Sequence, residues 1–105
     1  MRFEVGDLAS LPEAKGLRFE IGDHRVAVFR VGEEVFAIGD RCSHAEASLS
    51  EGEVWVSDCT VECPRHGAEF DLRTGEALSL PATRPVPTYP VTIEDGSVYL
   101  TLEEV

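Results

Sequence analysis

Two short stretches, RCSHAE at residues 41–46 and CPRHGAEFD at residues 63–71, each set a cysteine and a histidine within three positions of one another. If Cys42, His44, Cys63 and His66 serve one site, the fold has to bring residue 42 beside residue 63 and hold two loops in fixed geometry. In a chain of 105 residues, that requirement constrains the tertiary structure more than any local propensity does. The third cysteine, Cys59, lies outside both pairs. An odd cysteine count, with two of the three beside histidines, reads as metal ligation in a reducing compartment rather than as a disulfide framework.

The flanking sequence supplies the scaffold. HRVAVFRV and EVFAIGD are runs of β-branched and aromatic residues separated by Gly32 and Glu33, the pattern of a hairpin. In YPVTIEDGSVYLTLEEV, Val91 and Ile93 alternate with Thr92 and Glu94, Asp95-Gly96 offers the positive-φ turn, and Val98, Leu100 and Leu102 line one face of the returning strand. Further strands are expected near Phe3, over Leu17 to Ile21, and in GEVWV and CTVEC. No segment sustains the 3.6-residue period over the length of an average helix, although ASLPEA reads as one helical turn. The expectation is a single all-β domain over residues 1–105. The middle, from about residue 39 to 78, is richer in turns, holds both Cys/His pairs, and reads as an insertion on a β framework. LPATRPVPTYP, with its four prolines, cannot run as a hydrogen-bonded ladder and reads as a stiff extended connector.

Charge narrows the partners. Lys and Arg number 9 against 20 Asp and Glu, a net charge of −11, which disfavours phosphate backbones and anionic lipid surfaces. The amino terminus shows neither a basic start before an apolar core nor a span of about 20 apolar residues. A soluble cytoplasmic protein is expected, a monomer with no affinity for nucleic acid or membrane, and its acidity suits either solubility or steering towards basic patches on protein partners.

Thiolate and imidazole together bind zinc, copper or iron, and four such ligands complete one tetrahedral site or share two metals. Zinc fingers group their ligands by kind; here each loop mixes one sulfur with one nitrogen, so each can give its Cys to one metal and its His to another. Two irons bridged by two sulfides fit that division. Two neutral imidazoles in place of two thiolates make the formal charge of the oxidised cluster about zero rather than about −2, so an added electron is accommodated more easily.

CSH, then 18 intervening residues, then CPRHG followed by AEFDLRTGE, resembles the Rieske 2Fe-2S motif, and PVPTYPVTIEDGSVYL is also similar to that family. The resemblance extends over nearly the whole chain. It implies three stacked antiparallel sheets with a small cluster-binding subdomain, and one 2Fe-2S cluster per chain. By the same resemblance Cys42 and Cys63 hold the inner iron, while His44 and His66 hold the outer iron near the surface. The soluble members of the family are ferredoxins that pass electrons from a flavin-dependent reductase to a non-haem iron oxygenase, often a ring-hydroxylating one. They are carriers and not enzymes by themselves.

Departures from the pattern sharpen this expectation. The membrane-complex members carry two further cysteines in these loops, where this chain has Ala47 and Arg65, and a serine and a tyrosine after the second histidine, where it has Ala68 and Phe70. Without those hydroxyl donors the midpoint potential is expected towards the low end of the Rieske span, which begins at about −150 mV. Two other readings stand beside this one: the small subunit of a nitrite-reductase-like enzyme, and a zinc-holding interaction module linked to iron–sulfur assembly. Among the neighbours, Gly67 reads as a close-approach residue whose region can donate amides to cluster sulfide, and Gly52 and Gly75 as turn residues. Arg65 is read equally as solvated or as a partner contact. Cys59 is expected as a buried small hydrophobe at an alternating strand position, His24 at the surface and Trp55 in the core.

Overall fold

The structure, a computed structural model, describes residues 2–42, 47–65, 67–80 and 84–102. Ten strands follow in chain order: β1 (Arg2–Asp7), β2 (Gly16–Ile21), β3 (His24–Val31), β4 (Glu34–Gly39), β5 (Glu53–Trp55), β6 (Thr60–Glu62), β7 (Glu69–Asp71), β8 (Thr88–Tyr89), β9 (Val91–Glu94) and β10 (Ser97–Thr101). They form three antiparallel sheets, ordered β1-β10-β9, β2-β3-β4-β8 and β5-β6-β7. The fold is all-β, as the periodicity indicates. Both expected hairpins are present: Val31 pairs with Glu34 across Gly32-Glu33, and Ser97 pairs with Glu94 across Asp95 and Gly96, which take φ values of 50° and 82°.

The four-stranded sheet is the middle layer, and β3 shows why its sequence is apolar almost throughout. Val26 and Val28 point into one core with Val35, Ala37, Val98, Leu100 and Leu102. Ala27 and Phe29 point the other way, into a second core with Ile38, Leu49, Val61, Phe70 and Leu72. A strand covered on both faces needs apolar residues at consecutive positions, so strict alternation is lost. The first core joins this sheet to that of β1, β9 and β10, with Phe3 and Phe19 in an edge-to-face contact at 6.0 Å. The second joins it to the small sheet.

β4 and β8 are neighbours in the middle sheet, and the chain between them, residues 40–87, builds the small sheet and both Cys/His loops. β7 and β8, of three and two residues, were not among the strands expected from the sequence. The proline-rich stretch does more than connect. Val86 is buried in the core that contains Cys42 and Cys63, its N–H donates to Gly75 O at 2.9 Å, and Gly39 N–H donates to Pro87 O at 2.8 Å.

Four local expectations are corrected. Trp55 is 41% exposed; it shares a face with Glu53, whereas Val54 faces inward in register with Val61 and Phe70. His24 opens β3 with its ring half-buried edge-on against Tyr89, centroids 5.7 Å apart. Cys59 is buried, but in a turn before β6 with φ 57°, not within a strand. The helical turn falls at Leu8–Ser10, ahead of Pro12, where Arg30 binds the carbonyls of Leu8 and Leu11 at 3.2 and 3.1 Å.

Candidate metal centre

The two sulfur donors sit at the bases of two loops closed by the same bond. In the first, Cys42 N–H donates to Ala47 O at 3.0 Å; in the second, Cys63 N–H donates to Ala68 O at 2.7 Å. Each cysteine amide thus reaches the carbonyl five residues on, and each bond pinches off four intervening residues. In the first loop these are residues 43–46 and in the second residues 64–67. His44 and His66 fall within these sequence intervals and lie outside the described residues.

The first loop leaves the middle sheet where β4 ends. Arg41 and Ser48 form an antiparallel bridge across its neck, and Leu49 N–H donates to Asp40 O at 2.6 Å. Below that bridge the Asp40 side chain, with no exposed surface, accepts from Ser48 Oγ at 2.5 Å and from Ser50 N–H at 2.9 Å. Asp40 went unnoticed in the sequence; the one signal was the pair of serines eight and ten residues downstream of an aspartate that directly follows a strand. The second loop is the hairpin connection between β6 and β7. Gly67, at φ 74°, turns its N–H back to Cys63 O at 3.0 Å, a conformation that a side chain would strain.

Cys42 and Cys63 are 3% and 1% exposed and belong to one core with Leu49, Ala68, Phe70, Leu72 and Val86. None of the three cysteines is in a disulfide. Pro64 and Arg65, by contrast, are exposed. The site therefore has a buried apolar floor carrying the sulfurs and a solvent-facing rim. Ala47 is half-buried against the same core, and Ala68 and Phe70 have no exposed surface. Among the described residues no group of three or more His, Cys, Asp and Glu side chains is arranged to hold a metal; of the four candidate ligands, Cys42 and Cys63 are described. Cys59 shares the core, but burial pushes its thiol above the ordinary 9.0, outweighing the opposing pull of Arg73, which disfavours the thiolate a metal needs.

The model of the Rieske [2Fe-2S] domain matches residues 1–90. The chain belongs to the Rieske family. Its similarity to Rieske ferredoxins runs nearly end to end. The chain is 50% identical over 97 residues to the 3-phenylpropionate/cinnamic acid dioxygenase ferredoxin subunit of Escherichia coli K12, covering 92% of this chain and 90% of that protein. Among solved structures, the ferredoxin of carbazole 1,9a-dioxygenase from Nocardioides aromaticivorans IC177 superposes with a TM-score of 0.94 at 33% identity, covering 98% of this chain and 99% of that one. A ferredoxin solved in complex with the reduced oxygenase of carbazole 1,9a-dioxygenase gives 0.87 at 35% identity, covering 94% and 100%.

The family's cofactor is a [2Fe-2S] cluster, and the residues present fit it. Two cysteines buried in one core, in a sequence that sets a histidine two residues after the first and three after the second, supply the kinds of donor that a Rieske centre uses. When bound, such a cluster supplies a one-electron couple. The chain's own residues would exclude water on the sulfur side through Leu49, Phe70, Leu72 and Val86, while Pro64 and Arg65 face solvent.

Proposed function

We propose that this Rieske protein is a one-electron carrier that takes electrons from a flavin-dependent reductase and delivers them to a non-haem iron oxygenase of the ring-hydroxylating type, without acting on an organic substrate itself. Cys42 and Cys63 hold the inner iron and His44 and His66 the outer one, with one cluster per chain. The observation that carries this reading is the pair of loops with a common closing bond, each with a buried cysteine at its base. Pro64 and Arg65 are exposed beside the second cysteine, which suits an electron carrier, because transfer to a protein partner needs close approach.

Several features support the finer parts. The ferredoxin relatives named above belong to dioxygenase systems. The chain's charge of −11 favours docking on basic protein surfaces and opposes binding to nucleic acid. No helix among the described residues is long and apolar enough to cross a membrane. The fully buried Ala68 and Phe70 offer no hydroxyl to the site, in keeping with a low midpoint potential.

The test is anaerobic stopped-flow mixing of the purified holoprotein with a flavin-dependent ferredoxin reductase and NADH, then with an oxidised ring-hydroxylating oxygenase. Bleaching of the visible absorption by the reductase and its return on adding the oxygenase is the expected result. A protein that stays oxidised throughout, or a midpoint well above about 0 mV by voltammetry, inside the upper Rieske range, overturns the assignment.

A further inference from the structure

Asp40 is a carboxylate with no exposed surface, placed two residues before Cys42 and not itself a member of the ligand set. Every polar group it has is engaged. Its N–H donates to Arg25 O at 2.9 Å and its carbonyl accepts from Leu49 N–H at 2.6 Å. Its Oδ2 accepts from Ser48 Oγ at 2.5 Å and lies 3.9 Å from Arg25 Nη2; its Oδ1 accepts from Ser50 N–H at 2.9 Å. Ser48 Oγ and Ser50 Oγ are themselves 2.8 Å apart. One residue therefore ties β3, the end of β4 and the turn at Leu49–Glu51 into a single knot below the first loop.

That knot lies directly under the Arg41–Ser48 bridge and the Cys42–Ala47 bond, so the loop's two ends are held at three successive levels. The second loop needs no such device, because the paired strands β6 and β7 already fix its ends. The first loop joins a strand of one sheet to a turn that leads into another sheet, and no ladder closes it. A buried carboxylate is costly to keep in an apolar setting unless all its acceptor sites are used. Here the Asp40 carboxylate has three polar partners, the Ser48 hydroxyl, the Ser50 amide and the Arg25 guanidinium, which is the pattern of a residue that fixes geometry.

We propose that Asp40 is a positioning residue for the cluster: acting through the neck of the first loop, it sets the placement of Cys42 and the rate at which iron escapes. This rests on the ligand assignment above. Asp40→Asn keeps the shape but loses one acceptor, and Ser48→Ala removes the hydroxyl's contacts to Asp40 and Ser50 while leaving the buried charge two partners.

The test compares holoproteins of the parent, Asp40→Asn, Ser48→Ala and Leu100→Ala, the last a truncation in the core remote from the loops. Two readouts are taken: iron release to an excess of a chelator such as bathophenanthroline disulfonate under reducing conditions, and the electron paramagnetic resonance spectrum of the reduced protein. Asp40→Asn is expected to release iron about tenfold faster, the lower end of what loss of an outer-shell partner costs a metal site, with Ser48→Ala intermediate and g-values displaced in both. Leu100→Ala lowers the melting temperature but leaves the g-values unchanged. Ser48→Ala decides the matter if Asp40→Asn does not fold. Release within about twofold of the parent, well short of an outer-shell effect, with unchanged g-values in the variants that fold, overturns the inference, as does equal acceleration by Leu100→Ala. A parent protein without iron and sulfide instead refutes the ligand assignment itself.

Discussion

Cys63 donates its amide hydrogen to the carbonyl of Ala68 at 2.7 Å, closing the second loop over a methyl group with no exposed surface. The same bond fixes where any side chain at position 68 points. The resemblance to the membrane-complex Rieske proteins places a serine there, with its hydroxyl donating to the cluster.

Ala68→Ser therefore raises the midpoint potential. One net hydrogen bond is worth about 1 kcal/mol, and at 59 mV per tenfold change for a one-electron couple this is about 40 mV. Protein-film voltammetry of the two proteins checks it. An unchanged midpoint would show that position 68 does not face the cluster.

Gly52 has an ordinary backbone, φ −77°, yet a Cβ built on it would lie 2.0 Å from Glu62 O. The side chain is excluded by the approach of β5 to β6 rather than by torsional strain. Gly52→Ala should cost about 2 kcal/mol, typical of forced overpacking. Gly22→Ala, at φ 59° in open space, should cost about 1 kcal/mol from conformation alone. Chemical denaturation of both variants ranks them; the reverse order contradicts the account of the small sheet.

Alkaline pH should weaken the fold in two stages. Burial raises the Cys59 thiol above its ordinary 9.0 and the Tyr89 hydroxyl above its ordinary 10.0. The folded protein then holds these protons more tightly than the unfolded chain, so their stabilising effect is complete below pH 9 and falls as the unfolded chain begins to lose them. Urea midpoints should be flat up to about pH 9 and decline above it, and Cys59→Ala should defer the decline to about pH 10.

Trp55, the single tryptophan, is 41% exposed and donates from Nε1 to Glu62 Oε1 at 3.3 Å. Its fluorescence should resemble that of a solvated indole. Trp55→Ala should cost under about 1 kcal/mol, against about 3–5 kcal/mol for Phe70→Ala on the inner face of the same sheet. Denaturation midpoints separate the two; a large loss at Trp55 would restore it to the core.

How much of this was legible depended on whether local sequence carried the cause. The hairpin at Asp95-Gly96 was readable because turn chemistry and alternation agree within a dozen residues. The convergence of Cys42 and Cys63 on one core was readable because residue type and spacing are written locally. Trp55 was misread because in GEVWV either parity places large residues on a face, and only pairing with Val61 and Phe70 selects Val54. Asp40 was invisible because its meaning lies in Ser48, Ser50 and Arg25, which only the folded chain brings together. The proline-rich stretch read as a connector because nothing in its sequence announces that Val86 enters the site's core.

The central claim, a two-iron cluster held by two cysteines and two histidines, is tested most directly by pulsed electron paramagnetic resonance of the reduced protein grown with ¹⁵N-labelled histidine. The account predicts strong couplings to two inequivalent histidine nitrogens, one from His44 and one from His66. A reduced cluster without histidine nitrogen coupling, or a colourless protein without a paramagnetic signal, would contradict it.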